Sequence, residues 1–321
     1  METLHLDNVI ANHTRDMSGR VAAVTGTTSG TGYVCARELA RRGARVLLLN
    51  RPSERSKAAL ERLQREAPEG RFEAIDCDLQ DFASVRAAIA TIKASCDRLD
   101  VLCNNAGVMA LKDQATKDGY DMQMQTNCLS HFLLTKELFE LLLQSDDARV
   151  VNHSSQARLG PPLEPKYFGP NGGDLGGDGD EADNASFSGP RWRRYHQTKL
   201  ANCAFTYGLH NRLQAANISN VKALVAHPGL AATQLQVTTD RDGGMDADSP
   251  FMKQAQSPED GALGIIRASM DPEAQSGDFY GPSGWTGFPE KLEPEELLMD
   301  PENIRVNWEG CEAAVGEFTI G

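Results

Sequence analysis

The sequence predicts an α/β fold, a doubly wound parallel sheet within a single domain spanning residues 1–321. Three observations carry that prediction. Short, continuously apolar segments read as strands buried on both faces. Amphipathic helical segments alternate with them, as right-handed crossovers require. A glycine-rich turn lies between the first strand and the first helix.

Taken in order, Arg20–Gly26 is the first strand. The helix that follows, Tyr33–Gly43, has Val34, Leu39 and Ala40 on one face and Gly43 as its stop. Ala44–Arg51 is the second strand. Ser53–Ala67 is helical and ends at Pro68. Arg71–Leu79 and Leu99–Gly107 are strands on either side of the helix Phe82–Cys96. Met124–Ser145 is a long helix and Ala148–Ser155 the fifth strand. Tyr195–Gln214 is helical, and Val221–Gly229 is a sixth strand running into a Pro-Gly turn.

Two regions break the rhythm. Residues 160–190 are rich in Gly, Pro and Asp and read as a long inserted loop. Residues 237–258 are polar and turn-rich. The core thus runs over about 18–235, and about 277–321 forms a C-terminal extension holding Trp285 and Trp308.

Composition narrows the function. The chain has 321 residues, 40% hydrophobic and 24% charged, with a formal net charge of -13. So acidic a surface repels phosphate backbones and anionic headgroups, which argues against nucleic acid or membrane partners. No apolar run approaches the ~18 residues of a membrane span, and the N-terminus lacks a signal-peptide pattern. The seven cysteines are odd in number, without C-x-x-C spacing, which points to a reducing, cytoplasmic setting. Cys103 and Cys128 read as small core residues. Asp174, Asp178, Asp180 and Asp183 do not match a calcium-loop spacing, so no metal site is expected.

The turn after the first strand reads Thr25-Gly26-Thr27-Thr28-Ser29-Gly30-Thr31-Gly32. Glycines let backbone amides approach a pyrophosphate, and the helix that starts here adds its positive dipole end. The second strand ends at Asn50-Arg51, eighteen residues beyond Gly32. A site for NAD places an acid there, against the ribose 2′-hydroxyl. Here an arginine follows an asparagine, and a guanidinium pairs with a 2′-phosphate. That favours NADP(H).

These motifs, with others in the same order, resemble the short-chain dehydrogenase/reductase superfamily and its single-domain subgroup. Asn104-Asn105-Ala106-Gly107 follows the fourth strand, Asn127 lies in the long helix and Ser155 ends the fifth strand. Tyr195-x-x-x-Lys199 and Pro228-Gly229 complete the series, which covers about residues 18–235. The wording around them is most similar to the branch of retinol dehydrogenases and related carbonyl reductases. The resemblance implies a Rossmann fold and a carbonyl/alcohol substrate. It implies catalytic roles for Asn127, Ser155, Tyr195 and Lys199, and that Lys199 holds the nicotinamide ribose. Asn127 would hold a water between Lys199 and solvent. Cofactor contacts are implied for Gly26, Thr28, Ser29, Gly30, Thr31, Gly32, Asn50 and Arg51. Asp78 and Leu79 would border the adenine, and Asn104, Ala106 and Gly107 the ribose. Pro228, Gly229 and Thr233 would flank the nicotinamide. Relatives include homodimers that pair through the helices bearing Asn127 and Tyr195, and also monomers.

The chemistry follows from the residue types. Tyr195 and Lys199 are four apart and share a helix face. A free phenol, with a pKa near ~10, is a poor base; a nearby ammonium favours its phenolate and lowers that value. Tyr195 then exchanges a proton with the substrate oxygen, to which Ser155 donates a hydrogen bond. Ser154 is the neighbouring alternative, on the opposite face of the strand. His196 is a candidate substrate contact. Unlike most relatives, this chain separates serine from tyrosine by forty residues, so the insert is expected to cap the substrate pocket. The readings are an NADP(H)-dependent carbonyl/alcohol oxidoreductase, a retinol-dehydrogenase-like enzyme on a lipophilic alcohol or aldehyde, or a catalytically silent NADP-binding regulator.

Overall fold

The computed structural model describes residues 2–171, 175 and 187–321. Asp174, Asp178, Asp180 and Asp183 lie outside the described residues. The described chain builds one eight-stranded sheet in the order β3-β2-β1-β4-β5-β6-β7-β8. The strands are β1 (Val21–Thr25), β2 (Arg45–Asn50), β3 (Arg71–Asp76), β4 (Val101–Asn104), β5 (Ala148–His153), β6 (Val221–Ala226), β7 (Phe279–Gly281) and β8 (Glu290–Leu292). All neighbours from β3 to β7 run parallel. The sheet is the expected doubly wound parallel one, with β8 added antiparallel to β7 at its edge. Residues 282–289 are too few for the crossover of about a dozen that parallel pairing demands, so the chain turns straight back.

Alternation along the strands divides the core. Ala22, Val24, Val46 and Leu48 face one side with Val101 and Leu224; there they meet α1 (Leu6–Asn12), α2 (Gly30–Arg41), α3 (Glu54–Glu66) and a helix over Leu263–Met270. Ala23, Leu47, Leu102 and Val150 face the other side with Ala223 and Val225. They meet α4 (Phe82–Ser95), α5 (Ser130–Leu143), α6 (Gly189–Ala215) and, near the C-terminus, a helix over Pro301–Val315. The strand order reverses between β1 and β4, and a crevice opens there at the carboxyl ends of the strands.

Two regions read as loops contain defined structure among the described residues. Gln234–Arg241 is helical, with Thr233 as a capping box, so the polar stretch 237–258 begins inside a helix. The 160–190 insert is anchored at its start. Leu163, Tyr167 and Phe168 are buried, and the Leu163 N–H donates to Asn303 Oδ1 at 2.9 Å. α6 itself begins at Gly189, six residues before Tyr195.

The C-terminal helix lies across α5 and α6, the face through which the dimeric relatives pair. Gly208 on α6 permits the approach, since a Cβ there would come within 3.2 Å of both Ile304 and Trp308. Trp308 packs edge-on to Phe132 at 5.1 Å, stacks on Phe318 at 5.5 Å and lies under the Arg212 guanidinium at 3.6 Å. Pairing through that face would have to displace this helix. No helix among the described residues is long and apolar enough to cross a membrane. Replacing Trp308 with Ala empties a well-filled site. It is expected to lower unfolding free energy by about 3–5 kcal/mol, measured by denaturant titration, and an effect below about 1 kcal/mol would refute this packing.

Candidate active site

Two elements bring the reacting side chains together. β5 delivers Ser154 and Ser155 at its carboxyl end, while α6 presents Tyr195 and Lys199 one turn apart. Lys199 Nζ donates to the His153 carbonyl at 2.9 Å and lies 5.7 Å from the centre of the Tyr195 ring. Ser155 and Tyr195 both line the cleft, and the Ser155 hydroxyl accepts from the Ala157 N–H at 3.1 Å. The Ser154 hydroxyl instead donates to the Lys199 carbonyl at 2.8 Å. Both serines border the cleft, but the Ser154 hydroxyl is committed to bracing α6.

Electrostatics depart from the sequence expectation. Burial pushes the Tyr195 phenol up to about 12, and the polar influence of the Ser155 hydroxyl pulls against it. Burial pushes the Lys199 ammonium down to about 8. The ammonium does not lower the phenol in the protein alone, because it sits over the ring face and desolvation dominates. Tyr195 thus rests as a neutral acid. His153, buried beside Lys199, is held well below the usual histidine range by desolvation first and then by that positive charge.

Asn127 sits in a π-helical segment, Gln125–Leu129, that interrupts the long helix ahead of α5. Its amide clasps the Val108 backbone in both directions at 2.8 Å and donates to Thr198 Oγ1 at 2.9 Å. Its carbonyl accepts from Asn202 at 2.7 Å. It does not line the cleft, and its side chain is taken up in tying the Gly107–Val108 turn to α6.

A cleft of about 560 Å³ runs from this centre to the sheet's switch point. It is lined by Gly26, Thr28, Ser29, Gly30 and Thr31, then Asn50, Arg51, Asp78, Leu79, Ala106 and Gly107, and beyond the centre by Pro228, Gly229 and Thr233. Gly26 has φ +72° and meets Ala106, where any Cβ would come within 2.8 Å. Two expected contacts fall short of the wall. Gly32 packs against Asn105, where a Cβ has no room. Asn104 points into the core, donating to Asn152 at 2.9 Å and Thr135 at 3.2 Å. Its neighbour Asn105 takes the wall position, accepting from Thr31 Oγ1 at 2.9 Å and donating to the Thr25 carbonyl at 2.8 Å.

A second arginine was missed by the sequence reading. Arg55 reaches Ser29 Oγ in the glycine turn and lines the cleft with Arg51. Its position four residues after Arg51 was the clue. Among the described residues neither has a carboxylate partner. Arg55 is held below the usual arginine range, by burial first and then by the Arg51 charge. Two guanidiniums, one just after β2 and one in the first turn of α3, have the chemistry to hold a phosphate of a dinucleotide. Beyond Tyr195, Met109, Phe187, Trp192, Met245, Phe251 and Trp285 form an apolar end that sequence reading did not assign. Phe187 holds φ +55°, a left-handed conformation that costs about 1 kcal/mol or more in a non-glycine residue. Among the described residues no group of three or more metal-ligating side chains converges.

A family model described as short chain dehydrogenase matches residues 20–167. Retinol dehydrogenase 14 of Homo sapiens is 32% identical over 94% of this chain and 87% of its own length. The chain belongs to the short-chain dehydrogenase/reductase superfamily. Within it, the relatives place this member in the retinol-dehydrogenase-like branch. Other relatives, 34% and 36% identical, are matched over only 64% and 60% of their own lengths. The crystal structure of an uncharacterised protein from Mycobacterium paratuberculosis superposes with a TM-score of 0.73, at 31% identity, over 97% of this chain and 98% of that one. The RhlG/NADP active-site complex of Pseudomonas aeruginosa superposes with a TM-score of 0.60, at 25% identity, over 82% and 94% of the two chains.

Because Lys199 loses its charge above about pH 8 in the free protein, kcat/KM for the dinucleotide is expected to be level below that pH. It should fall as pH rises through it, since this constant reports free-enzyme ionisations. A profile level to pH ~10, where a free lysine titrates, would refute the burial argument.

Proposed function

We propose that this chain is an NADP(H)-dependent oxidoreductase that interconverts a carbonyl and an alcohol, with Tyr195 as general acid/base. The single observation behind this reading is the Ser155–Tyr195–Lys199 cluster at one end of a dinucleotide-shaped cleft, with the Arg51–Arg55 pair at the other. Bound NADPH supplies the hydride. Ser155 and Tyr195 hydrogen-bond the substrate oxygen and polarise the carbonyl. As charge grows on that oxygen the neutral phenol gives it a proton, and the Lys199 ammonium stabilises the phenolate left behind. In the reverse direction the phenolate removes the alcohol's proton. Lys199, anchored on the His153 carbonyl, would hold the ribose hydroxyls in this reading. Asn127 keeps the Gly107–Val108 turn in register with α6.

The relative named a retinol dehydrogenase suggests a lipophilic alcohol or aldehyde as the finer reading. The apolar end of the cleft favours it.

NADPH oxidation, followed by absorbance with a panel of ketones and aldehydes, is expected to show turnover. Tyr195→Phe should reduce kcat by at least about 100-fold while NADPH still binds. A protein that binds NADPH yet turns over nothing would instead be a silent dinucleotide-binding regulator. Arg51→Asp should shift the NADPH/NADH preference toward NADH by about tenfold or more, the worth of a charge-assisted hydrogen bond. An unchanged preference would remove the 2′-phosphate assignment.

A further inference from the structure

Three tryptophans occur in the chain. Trp192 and Trp308 are 4% and 3% exposed, but Trp285 is 56% exposed. It is not on a loose tip. Its carbonyl accepts from the Leu230 N–H at 2.5 Å, the Gly284 carbonyl accepts from Gln156 at 3.1 Å, and the Gly287 N–H donates to Gln256 at 2.9 Å. Gln156 directly follows Ser155, and Leu230 follows the Pro228-Gly229 turn. The loop between β7 and β8 is therefore fastened to both rims of the active site. It holds an uncovered indole at the cleft wall. A large apolar group kept exposed by a rigid support at a concave site is a binding surface.

The indole also ends a ladder of rings. Tyr195 meets Trp192 at 5.9 Å, Trp192 meets Phe187 at 4.9 Å, Phe187 meets Phe251 at 5.5 Å, and Phe251 meets Trp285 edge-on at 5.1 Å. The ladder leads from the reacting hydroxyl to solvent. Among the described residues, the charged ones lining the cleft are Arg51, Arg55, Asp78 and Lys199. Three of these sit around the glycine turn and the ends of β2 and β3, and Lys199 is committed beside Tyr195. None of these stands along the ladder, so the described residues offer an anionic tail no counter-charge there.

We infer that Trp285 is a specificity-determining residue, covering the hydrocarbon tail of an extended, uncharged carbonyl substrate. The inference rests on the proposed carbonyl/alcohol reaction at Tyr195. A short substrate occupies the space beside Tyr195 alone, whereas a long one runs along the ladder and buries the indole. The selectivity comes from the C-terminal extension.

Two measurements on the full chain test this. With NADPH, the ratio of kcat/KM for decanal to that for butanal is expected to fall by at least about tenfold in Trp285→Ala. Trp285→Phe, which keeps an aromatic surface, should retain most of the ratio. Equal losses for both aldehydes would mean that the indole only supports the fold, and would overturn the inference. In the wild type, iodide should quench chiefly Trp285, because the other two indoles are buried. 1-Decanol should shield it and 1-butanol at equal concentration should not. Absence of shielding by decanol overturns the inference even if a variant fails to fold. If neither aldehyde is turned over, the reaction at Tyr195 is refuted, while the iodide result still decides the role of Trp285.

Discussion

The site depends on one constraint: an ammonium buried within hydrogen-bond reach of a strand-end carbonyl. Lys199 reaches the His153 carbonyl from α6, and that bond fixes where Tyr195 stands relative to the end of β5. Burying a charge is costly unless its hydrogen bonds are met, and here one backbone acceptor carries much of that burden. The same burial keeps the phenol protonated and leaves the lysine close to losing its proton. The two groups are thus poised in opposite senses, an arrangement that suits a reversible proton exchange.

Around that pair the chain commits its polar groups to positioning. Asn127 clamps a turn, Ser154 braces α6, and Asn104 ties β4 to β5 and α5. Each lies next to a residue that faces the cleft. The C-terminal extension completes the molecule in two ways. It adds β7 and β8 to the sheet and lays a helix over α5 and α6. It also carries the loop that walls the apolar end of the cleft.

Much of this was legible in the sequence. The first six strands and the helices between them announce themselves through continuous apolar runs and helical periodicity. The glycine turn, Arg51, Ser155, Tyr195 and Lys199 lie where their motifs suggest, along one cleft. What escaped was set by tertiary context. β7 and β8 are three residues each, too short for a periodic signal. The inward turn of Asn104 depends on the phase of β4, which a four-residue strand does not reveal. The rise of the Tyr195 pKa depends on burial, which spacing on a helix cannot report. The ring ladder draws on α6, the end of the insert, the 237–258 stretch and the C-terminal extension, and only folding brings these together.

A crystal structure of the protein with NADP⁺ and a bound alcohol would test the central claim most directly. The account predicts one substrate oxygen within about 3 Å of both the Tyr195 and Ser155 hydroxyls, with Lys199 still on the His153 carbonyl. An alcohol bound away from Tyr195, or a Tyr195 hydroxyl turned out of the dinucleotide cleft, would contradict it.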